Sequence, residues 1–212
     1  IPSGVISINE YAFNNCSGLN GKLTIEGSVK DTAIGQYAFN GCKNIKTLEL
    51  GDGIVTIGNY AFQNLTGLTG DLVIPDTVTT IGYNAFYGCT GFNGSLKLSK
   101  NLTYIDSYAF YNCNGITGEL VIPDKVTTVG YQAFYNLKKI TSIVVGESVK
   151  ALGTSTTSSY VPFYGMSGVT EVTFKGRTVP YAGNSNNYSN QFVSMSKLEK
   201  VYVVYGSCKF NF

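Results

Sequence analysis

The fold is decided by a unit of about 24 residues that the chain repeats. Residues 74–97 read IPDTVTTIGYNAFYGCTGFNGSLK, and residues 122–145 read IPDKVTTVGYQAFYNLKKITSIVV. The phenylalanine of this unit recurs at Phe13, Phe39, Phe62, Phe86, Phe110, Phe134, Phe163 and Phe192. Such a period is typical of solenoid proteins, and eight units exceed the roughly three that a stable stack requires. The sequence therefore predicts one repeat solenoid.

Apolar side chains occupy fixed positions after each phenylalanine. The position three residues on holds Cys16, Cys42, Leu65, Cys89, Cys113, Leu137, Met166 and Met195. Further along each unit comes a polar-apolar-variable-apolar tetrapeptide, as in residues 71–74, which is typical of a strand with one buried face. An additional glycine precedes some of these strands and predicts a bulge there, at Gly21, Gly70, Gly94 and Gly118.

The rest of the unit predicts a corner, then one helical turn that carries the Ala-Phe pair. Asn or Gly two residues after the phenylalanine suits a left-handed residue that ends this turn. These residues are Asn15, Gly41, Asn64, Gly88, Asn112, Asn136 and Gly165. The predicted fold class is an α/β but β-rich, right-handed solenoid of about eight coils, with short parallel strands on one face and short helical turns opposite.

The repeat resembles the BspA-like (treponemal-type) leucine-rich repeat, with apolar-x-apolar-Pro, then Val-x-x-Ile-Gly, then Ala-Phe-x-x-Cys. The match covers nearly the whole chain and is weaker after Gly153, where Pro162 and Gln191 replace the alanine. The resemblance implies a cell-surface or secreted protein of host-associated bacteria or of some protozoa, typically an adhesin or interaction protein. The family's ligands vary widely, so the resemblance implies no particular one.

We expect a single domain over residues 1–212, with regular repeats in residues 1–153 and divergent repeats in residues 154–212. The divergent part carries two polar insertions, residues 154–159 and 183–190, which are either loops on one side of the solenoid or disordered spacers. Because residues 1–5 correspond to residues 74–78, in the middle of a unit, we also expect the chain to be a segment of a larger protein.

Composition excludes several classes of function. Charged residues make up 13% of the chain and the net charge is +2, with no basic run, so we expect no nucleic-acid partner. No apolar stretch reaches about 18 residues, so we expect no direct membrane insertion. The chain has no histidine, which is the commonest general base and metal ligand, so we expect neither an enzyme nor a metal or other cofactor.

The cysteines are expected to be core residues. Four of the five occupy the same position as Leu65 and Leu137, and free cysteine is among the most buried residue types. Stacking would bring Cys16 near Cys42 and Cys89 near Cys113, but parallel side chains make disulfides unfavourable. Cys208 lies outside this column.

Two stripes of side chains are candidate binding surfaces. Outward strand positions include Lys97 and three valines. On an otherwise polar face, Val73, Val121 and Val144 could form an apolar strip or could simply reflect β propensity. Tyrosines directly after the phenylalanine should form a ladder that binds a ligand or only packs on itself: Tyr87, Tyr111, Tyr135 and Tyr164.

These observations predict an extracellular or cell-surface module that recognises a host or bacterial surface protein or glycan through its solenoid faces. The alternative is a structural spacer that presents another domain. A remote alternative is a glycan hydrolase that uses Glu49 and Asp71, which should be diagonal neighbours on adjacent strands. An open sheet face offers no pocket that excludes water, which weighs against the hydrolase.

Overall fold

A computed structural model of the chain shows a solenoid of parallel strands. It describes residues 1–28, 31–153, 161–177, 179–180, 192 and 194–204, and the backbone of 209–211. Each turn of the solenoid is called a coil below. The two expected insertions, residues 154–159 and 183–190, and Cys208 lie outside the described residues.

The first sheet contains seven strands, one from each successive coil. They are β1 (Ser7–Ile8), β3 (Thr32–Ile34), β5 (Ile54–Ile57), β7 (Thr80–Ile81), β9 (Tyr104–Ile105), β11 (Thr128–Val129) and β13 (Ala151–Leu152). Every neighbouring pair is parallel, and equivalent residues of consecutive repeats face each other, as Ile57, Ile81 and Ile105 do. The sequence repeat therefore determines the register of the sheet.

A second row of strands alternates with the first along the chain. It contains β2 (Gly21–Ile25), β4 (Ile45–Leu50), β6 (Leu72–Val73), β8 (Leu96–Lys97), β10 (Thr117–Ile122), β12 (Lys139–Val145), β14 (Glu171–Phe174), β15 (Lys200–Val203) and β16 (Lys209–Asn211). Strand pairing divides the row into β2-β4, β6-β8 and a five-stranded sheet from β10 to β16. All pairs are parallel except β15 with β16, which is antiparallel.

The solenoid contains about six turns, so the prediction of eight coils was wrong. A complete turn supplies one strand to the second row and one to the first sheet, and the chain does this from β2 and β3 to β12 and β13. After Leu152 the described residues add strands only to the second row. The recurrence of phenylalanine predicted too many coils because it continues into this part of the chain, where the turns are incomplete.

The predicted helical turns, and with them the α/β class, were also wrong, because the described residues contain no α-helix. The segment around each phenylalanine, such as residues 106–113, is a series of tight turns, and we call it the turn segment. Tyr108 and Asn112 on either side of Phe110 have φ values of 59° and 58°. A right-handed helix requires negative φ at every residue, so these two left-handed residues exclude it.

Amide groups of the turn segment alternate between two kinds of hydrogen bond. The Tyr111 amide donates to the Tyr108 carbonyl within the turn at 3.1 Å. The amide of Phe110, one residue earlier, donates to the Ala133 carbonyl of the next coil at 2.7 Å. The same alternation recurs around Phe13, Phe39, Phe62 and Phe86. Each turn segment is therefore closed on itself and bonded to its neighbour.

The left-handed residues predicted after the phenylalanine are confirmed. Positive φ is found at Asn15, Gly41, Asn64, Gly88, Asn112, Asn136 and Gly165. A second left-handed residue, two positions before the phenylalanine, was not predicted, and it occurs at Tyr11, Tyr37, Tyr60, Asn84, Tyr108 and Gln132.

The core is a column of stacked phenylalanine rings. From Phe13 to Phe163, consecutive ring centroids lie between 5.1 and 6.0 Å apart with nearly parallel planes. Phe62, Phe86, Phe110 and Phe134 are fully buried. Aliphatic residues from both rows of strands, such as Ile81 and Leu120, fill the space around this column.

The four cysteines of the column are free thiols, and Cys42, Cys89 and Cys113 are buried as expected, whereas Cys16 is half-buried. The structure adds a reason for cysteine that burial alone does not supply. The Cys113 Sγ donates to the Phe86 carbonyl of the preceding coil at 3.0 Å, and Cys89 and Cys42 make the equivalent bonds. Leucine at this position fills the volume but donates nothing.

The predicted bulges before the second-row strands are confirmed at two glycines. The pairing register shifts between Gly21 and Lys22 and between Gly118 and Glu119. Gly21 and Gly118 have φ values of 71° and 84°, a region that glycine enters without strain.

Replacement of Asn64 tests the left-handed residue of the turn segment, where φ is 60°. We expect Asn64→Ala to lower the free energy of unfolding by about 1 kcal/mol relative to Asn64→Gly, because only alanine is strained there. Urea unfolding measures both variants. Equal stabilities would show that the backbone at residue 64 relaxes.

The buried thiols predict a loss of stability at alkaline pH. Burial raises the pKa of Cys42 and holds that of Cys113 well above the usual thiol value of 9.0. The thiols of the unfolded chain ionise at the usual pKa. The contribution of the buried, neutral thiols to the free energy of unfolding is therefore complete below about pH 9 and is lost as pH rises through the folded-state pKa. Urea unfolding from about pH 7.5 to 10.5 should show the fall, and Cys113→Ala should make it shallower. An unchanged slope in this variant would contradict the assignment.

Candidate ligand-binding surfaces

The outward side chains of the second row of strands form the first candidate surface. In β6, Leu72 is buried and Val73 is 48% exposed, and in β10, Leu120 is buried and Val121 is 40% exposed. Val144 of β12 is half-buried beside Val121, its register partner. Lys97, the partner of Val73, lies between Val73 and Val121 along the row. The predicted strip is therefore outward-facing but is interrupted by one lysine.

The two predicted carboxylates, Glu49 and Asp71, line one open depression of about 540 Å³ together with Val73. Glu49 forms an ion pair with Lys22. Asp71 Oδ1 accepts hydrogen bonds from the Ser95 amide at 2.6 Å and the Ser95 hydroxyl at 2.9 Å. These bonds lower the pKa of Asp71, so this carboxylate is ionised at neutral pH and joins two coils.

A second depression adds residues that sequence reasoning missed. It is an open groove of about 650 Å³ next to Lys97 and Val121. The groove is lined by the apolar residues Leu98 and Pro123. Three further lysines also line it: Lys100, Lys125 and Lys175. The sequence contains no basic run because these lysines come from different coils, so only the folded chain brings them together.

Neighbouring carboxylates and amides hold all three of these lysines in place, and Lys175 Nζ lies 3.2 Å from Asp124 Oδ1. Lys100 Nζ lies 2.8 Å from Asp76 Oδ2, and this bond helps to lower the pKa of Asp76. Lys125 Nζ donates to Asn101 Oδ1 at 2.7 Å. Lys97 forms no ion pair with any residue that the structure describes. The groove therefore has both anchored and free ammonium groups.

The predicted tyrosine ladder is confirmed as a stack. Ring centroids lie 4.7 Å apart from Tyr87 to Tyr111, 4.4 Å from Tyr111 to Tyr135 and 5.7 Å from Tyr135 to Tyr164, with nearly parallel planes. Both faces of Tyr111 and Tyr135 are covered by neighbouring rings. The inner rings therefore offer their edges and hydroxyl groups, not their faces, to a ligand.

A second tyrosine ladder runs along the earlier coils. Its consecutive ring pairs are Tyr11–Tyr37, Tyr37–Tyr60, Tyr60–Tyr83 and Tyr83–Tyr108. The first two pairs are stacked, whereas Tyr83 stands edge-on to its neighbours. Tyr108 also contacts Tyr111 at 5.8 Å, so the two ladders are continuous. The tyrosines before the phenylalanine were visible in the sequence, but the left-handed backbone of Tyr11, Tyr37, Tyr60 and Tyr108 was not.

Ring packing changes the acidity of these hydroxyl groups. Burial, followed by the neighbouring Tyr135 and Tyr87, raises the pKa of Tyr111. Burial and the neighbouring Tyr60 likewise raise the pKa of Tyr37. Both phenols therefore stay protonated at physiological pH and can donate hydrogen bonds.

These features define a leucine-rich-repeat solenoid built from parallel β-strands, a fold whose repeats are typically non-enzymatic binding or structural modules. The sequence profile of the BspA type leucine rich repeat region matches residues 1–90 and 69–174, with six copies. The chain therefore belongs to the BspA-type leucine-rich-repeat family, as its sequence motifs indicated. Proteins of this family are typically surface-associated.

Two crystal structures have the same architecture. A leucine-rich repeat protein from Bacteroides ovatus ATCC 8483 is 25% identical, with a TM-score of 0.55 over 96% of this chain. The leucine rich repeat protein of T. pallidum is 18% identical, with a TM-score of 0.53 over 94% of this chain. The matches cover 60% and 74% of those two proteins, so the chain spans about three fifths of the Bacteroides protein.

Other comparisons are negative. No curated protein sequence matches the chain. Within the described residues, no helix could cross a membrane, and no group of three or more His, Cys, Asp or Glu side chains could hold a metal ion.

Replacement of Tyr111 separates ring stacking from the hydroxyl group. We expect Tyr111→Ala to lower the free energy of unfolding by about 2 kcal/mol, because the ring contacts with Tyr87, Tyr135 and Tyr108 are lost. Tyr111→Phe keeps all three contacts and should change it by about 0.5 kcal/mol or less. Thermal unfolding followed by circular dichroism measures both. Equal effects would assign the stability to the hydroxyl group.

Proposed function

We propose that the chain is a recognition module of an extracellular or surface-exposed protein, and that the outward face of its second strand row binds a protein or glycan of a host or neighbouring cell. The observation that carries this proposal is the exposure of Val73 and Val121 on ordered strands. Lys97 and Val144 belong to the same face.

Rigid apolar side chains favour binding for two reasons. Desolvation of exposed valine is favourable, and a valine held in a strand loses little side-chain entropy when a ligand covers it. The backbone of β10 and β12 is already paired within the sheet, so contacts come from side chains. A row that continues from coil to coil presents an extended surface, which is how solenoid proteins bind their partners.

A structural spacer is the second candidate function, and a specific observation favours it. The inner tyrosine rings are covered by one another, and the turn segments are bonded from coil to coil. Both features stiffen the stack without the need for a ligand. In that case the exposed valines reflect strand propensity alone.

Glycan hydrolysis by Glu49 and Asp71 is not part of the proposal. A hydrolase requires one carboxyl group that holds a proton near neutral pH. The Ser95 hydrogen bonds lower the pKa of Asp71, which is the opposite of that requirement. The Glu49 carboxylate is engaged in an ion pair with Lys22.

Binding experiments with face-specific variants test the proposal. The folded chain is screened by interferometry against extracellular-matrix proteins, mucins and a glycan panel. The test variant carries Val73→Gln, Val121→Gln and Val144→Gln. For any ligand that binds, we expect its affinity to fall at least about tenfold, because buried apolar contacts are lost.

A matched control places three glutamines elsewhere. Ile6, Ala33 and Val55 are exposed or half-buried apolar residues in or next to the first sheet. Their replacement by glutamine should leave affinity within about twofold. Equal losses in both variants would remove the second strand row as the binding face. A folded chain that binds nothing on the panel would favour the spacer.

A further inference from the structure

Two neighbouring depressions meet at one lysine. The groove next to Lys97 and Val121 includes Lys175, and Lys175 also lines a second depression of about 430 Å³. The second depression adds Lys150 and Arg177. We call the six basic residues of the two depressions the basic track: Lys97, Lys100, Lys125, Lys150, Lys175 and Arg177. They are six of the 15 Lys and Arg residues in the whole sequence.

Carboxylates around the basic track are fewer than its cations. Asp76 pairs with Lys100, Asp124 lies 3.2 Å from Lys175 Nζ, and Glu147 lines the second depression. Among the described side chains that line the two depressions or pair with their lysines, six are basic and three are acidic. A chain that is nearly neutral in composition thus concentrates positive charge on one part of its surface.

The arrangement of the basic track points to an extended ligand. Lys100, Lys125 and Lys150 follow three successive strands of the second row, β8, β10 and β12. The three lysines occupy different positions of the repeat, but they belong to successive coils, which stack at roughly the 4.8 Å strand spacing. Together they extend over a length greater than one small anion, which a polymer with several negative groups matches better than a single ion.

We propose that the basic track binds an acidic polysaccharide, one that carries sulfate or carboxylate groups. The inference rests on the proposed function and names the ligand class for its binding face, since Lys97 and Val121 belong to both.

Hydrogen-bond chemistry favours a polysaccharide over an acidic peptide. Ammonium and guanidinium groups are donors only, and sulfate and carboxylate oxygens are acceptors only, so the two sets match. A peptide would also bring backbone N–H groups, which only donate, whereas the hydroxyl groups of a sugar can also accept hydrogen bonds from the cations. The exposed apolar side chain of Val121, which lines the same groove, suits the C–H face of a sugar ring.

The existing ion pairs do not prevent binding. The Lys100 and Asp76 side chains of one pair are 75% and 42% exposed, and the pair of Lys175 with Asp124 is similarly open. Exposed pairs of this kind are weak and are screened by salt. Anionic groups of a polymer can therefore compete for both lysines, while Lys97 and Lys150 have no ion pair to break within the described chain.

The test compares two sets of charge-removing variants of the whole chain. The track variant carries Lys97→Gln, Lys125→Gln and Lys150→Gln. The control variant carries Lys43→Gln, Lys46→Gln and Lys138→Gln, which are exposed, line neither depression and remove the same charge. The probes are heparin for sulfate, hyaluronan for carboxylate, neutral dextran, poly-glutamate and single-stranded DNA, each at several salt concentrations.

We expect the unaltered chain to bind heparin or hyaluronan, with an affinity that falls as salt rises, and not to bind dextran. The track variant should lose about tenfold in affinity and show a shallower salt dependence, while the control stays within about twofold. Circular dichroism confirms that both variants are folded. The proposal is overturned if the two variants lose affinity equally, or if poly-glutamate or DNA binds at least as tightly as the glycans.

Failure of this inference can be separated from failure of the proposed function. A chain that binds a matrix protein or neutral glycan through the valine face, but neither heparin nor hyaluronan, would overturn the ligand class alone. A folded chain that binds none of the panel would overturn both proposals.

Discussion

The whole solenoid depends on the alternating hydrogen bonds of the turn segment. Because every second amide closes a tight turn, the amides between them are left free to bond the next coil, as Phe110 does with Ala133. This pattern requires left-handed residues on both sides of the phenylalanine, at Tyr108 and Asn112 in that coil. It sets the distance between coils, and the phenylalanine stack and both tyrosine ladders follow from that distance.

Side chains complete the same connection at the corners. Carboxylate or amide oxygens of one coil accept amides of the next, as Asp76 does from Lys100 and Asn59 does from Tyr83. Cysteine thiols add a bond in the interior. These bonds join consecutive coils both at the surface and in the interior, which explains why polar residues recur at fixed positions within a largely apolar repeat.

Much of the fold could be predicted because the repeat makes each residue's environment recur. The phenylalanine and cysteine columns, the second-row strands and the left-handed asparagines all followed from one period. The helical turn was predicted wrongly because apolar residues three apart, such as Phe110, Cys113 and Ile116, resemble a helical face. A left-handed Tyr108 could not be anticipated, since tyrosine normally avoids that conformation. The basic track was missed because Lys97, Lys125 and Lys175 are dispersed in sequence and converge only when coils stack.

Stacking between equivalent residues also has a consequence for how such a chain can change in length. Each turn segment presents the same donors to the following coil and the same acceptors to the preceding one. A whole unit can thus be duplicated or deleted in the gene, and the interface between neighbouring coils keeps the same hydrogen bonds. Intervals of 26, 23 and 24 residues between successive phenylalanines show that small differences are absorbed outside the turn segment. Selection can therefore lengthen the exposed surface while its cross-section stays constant.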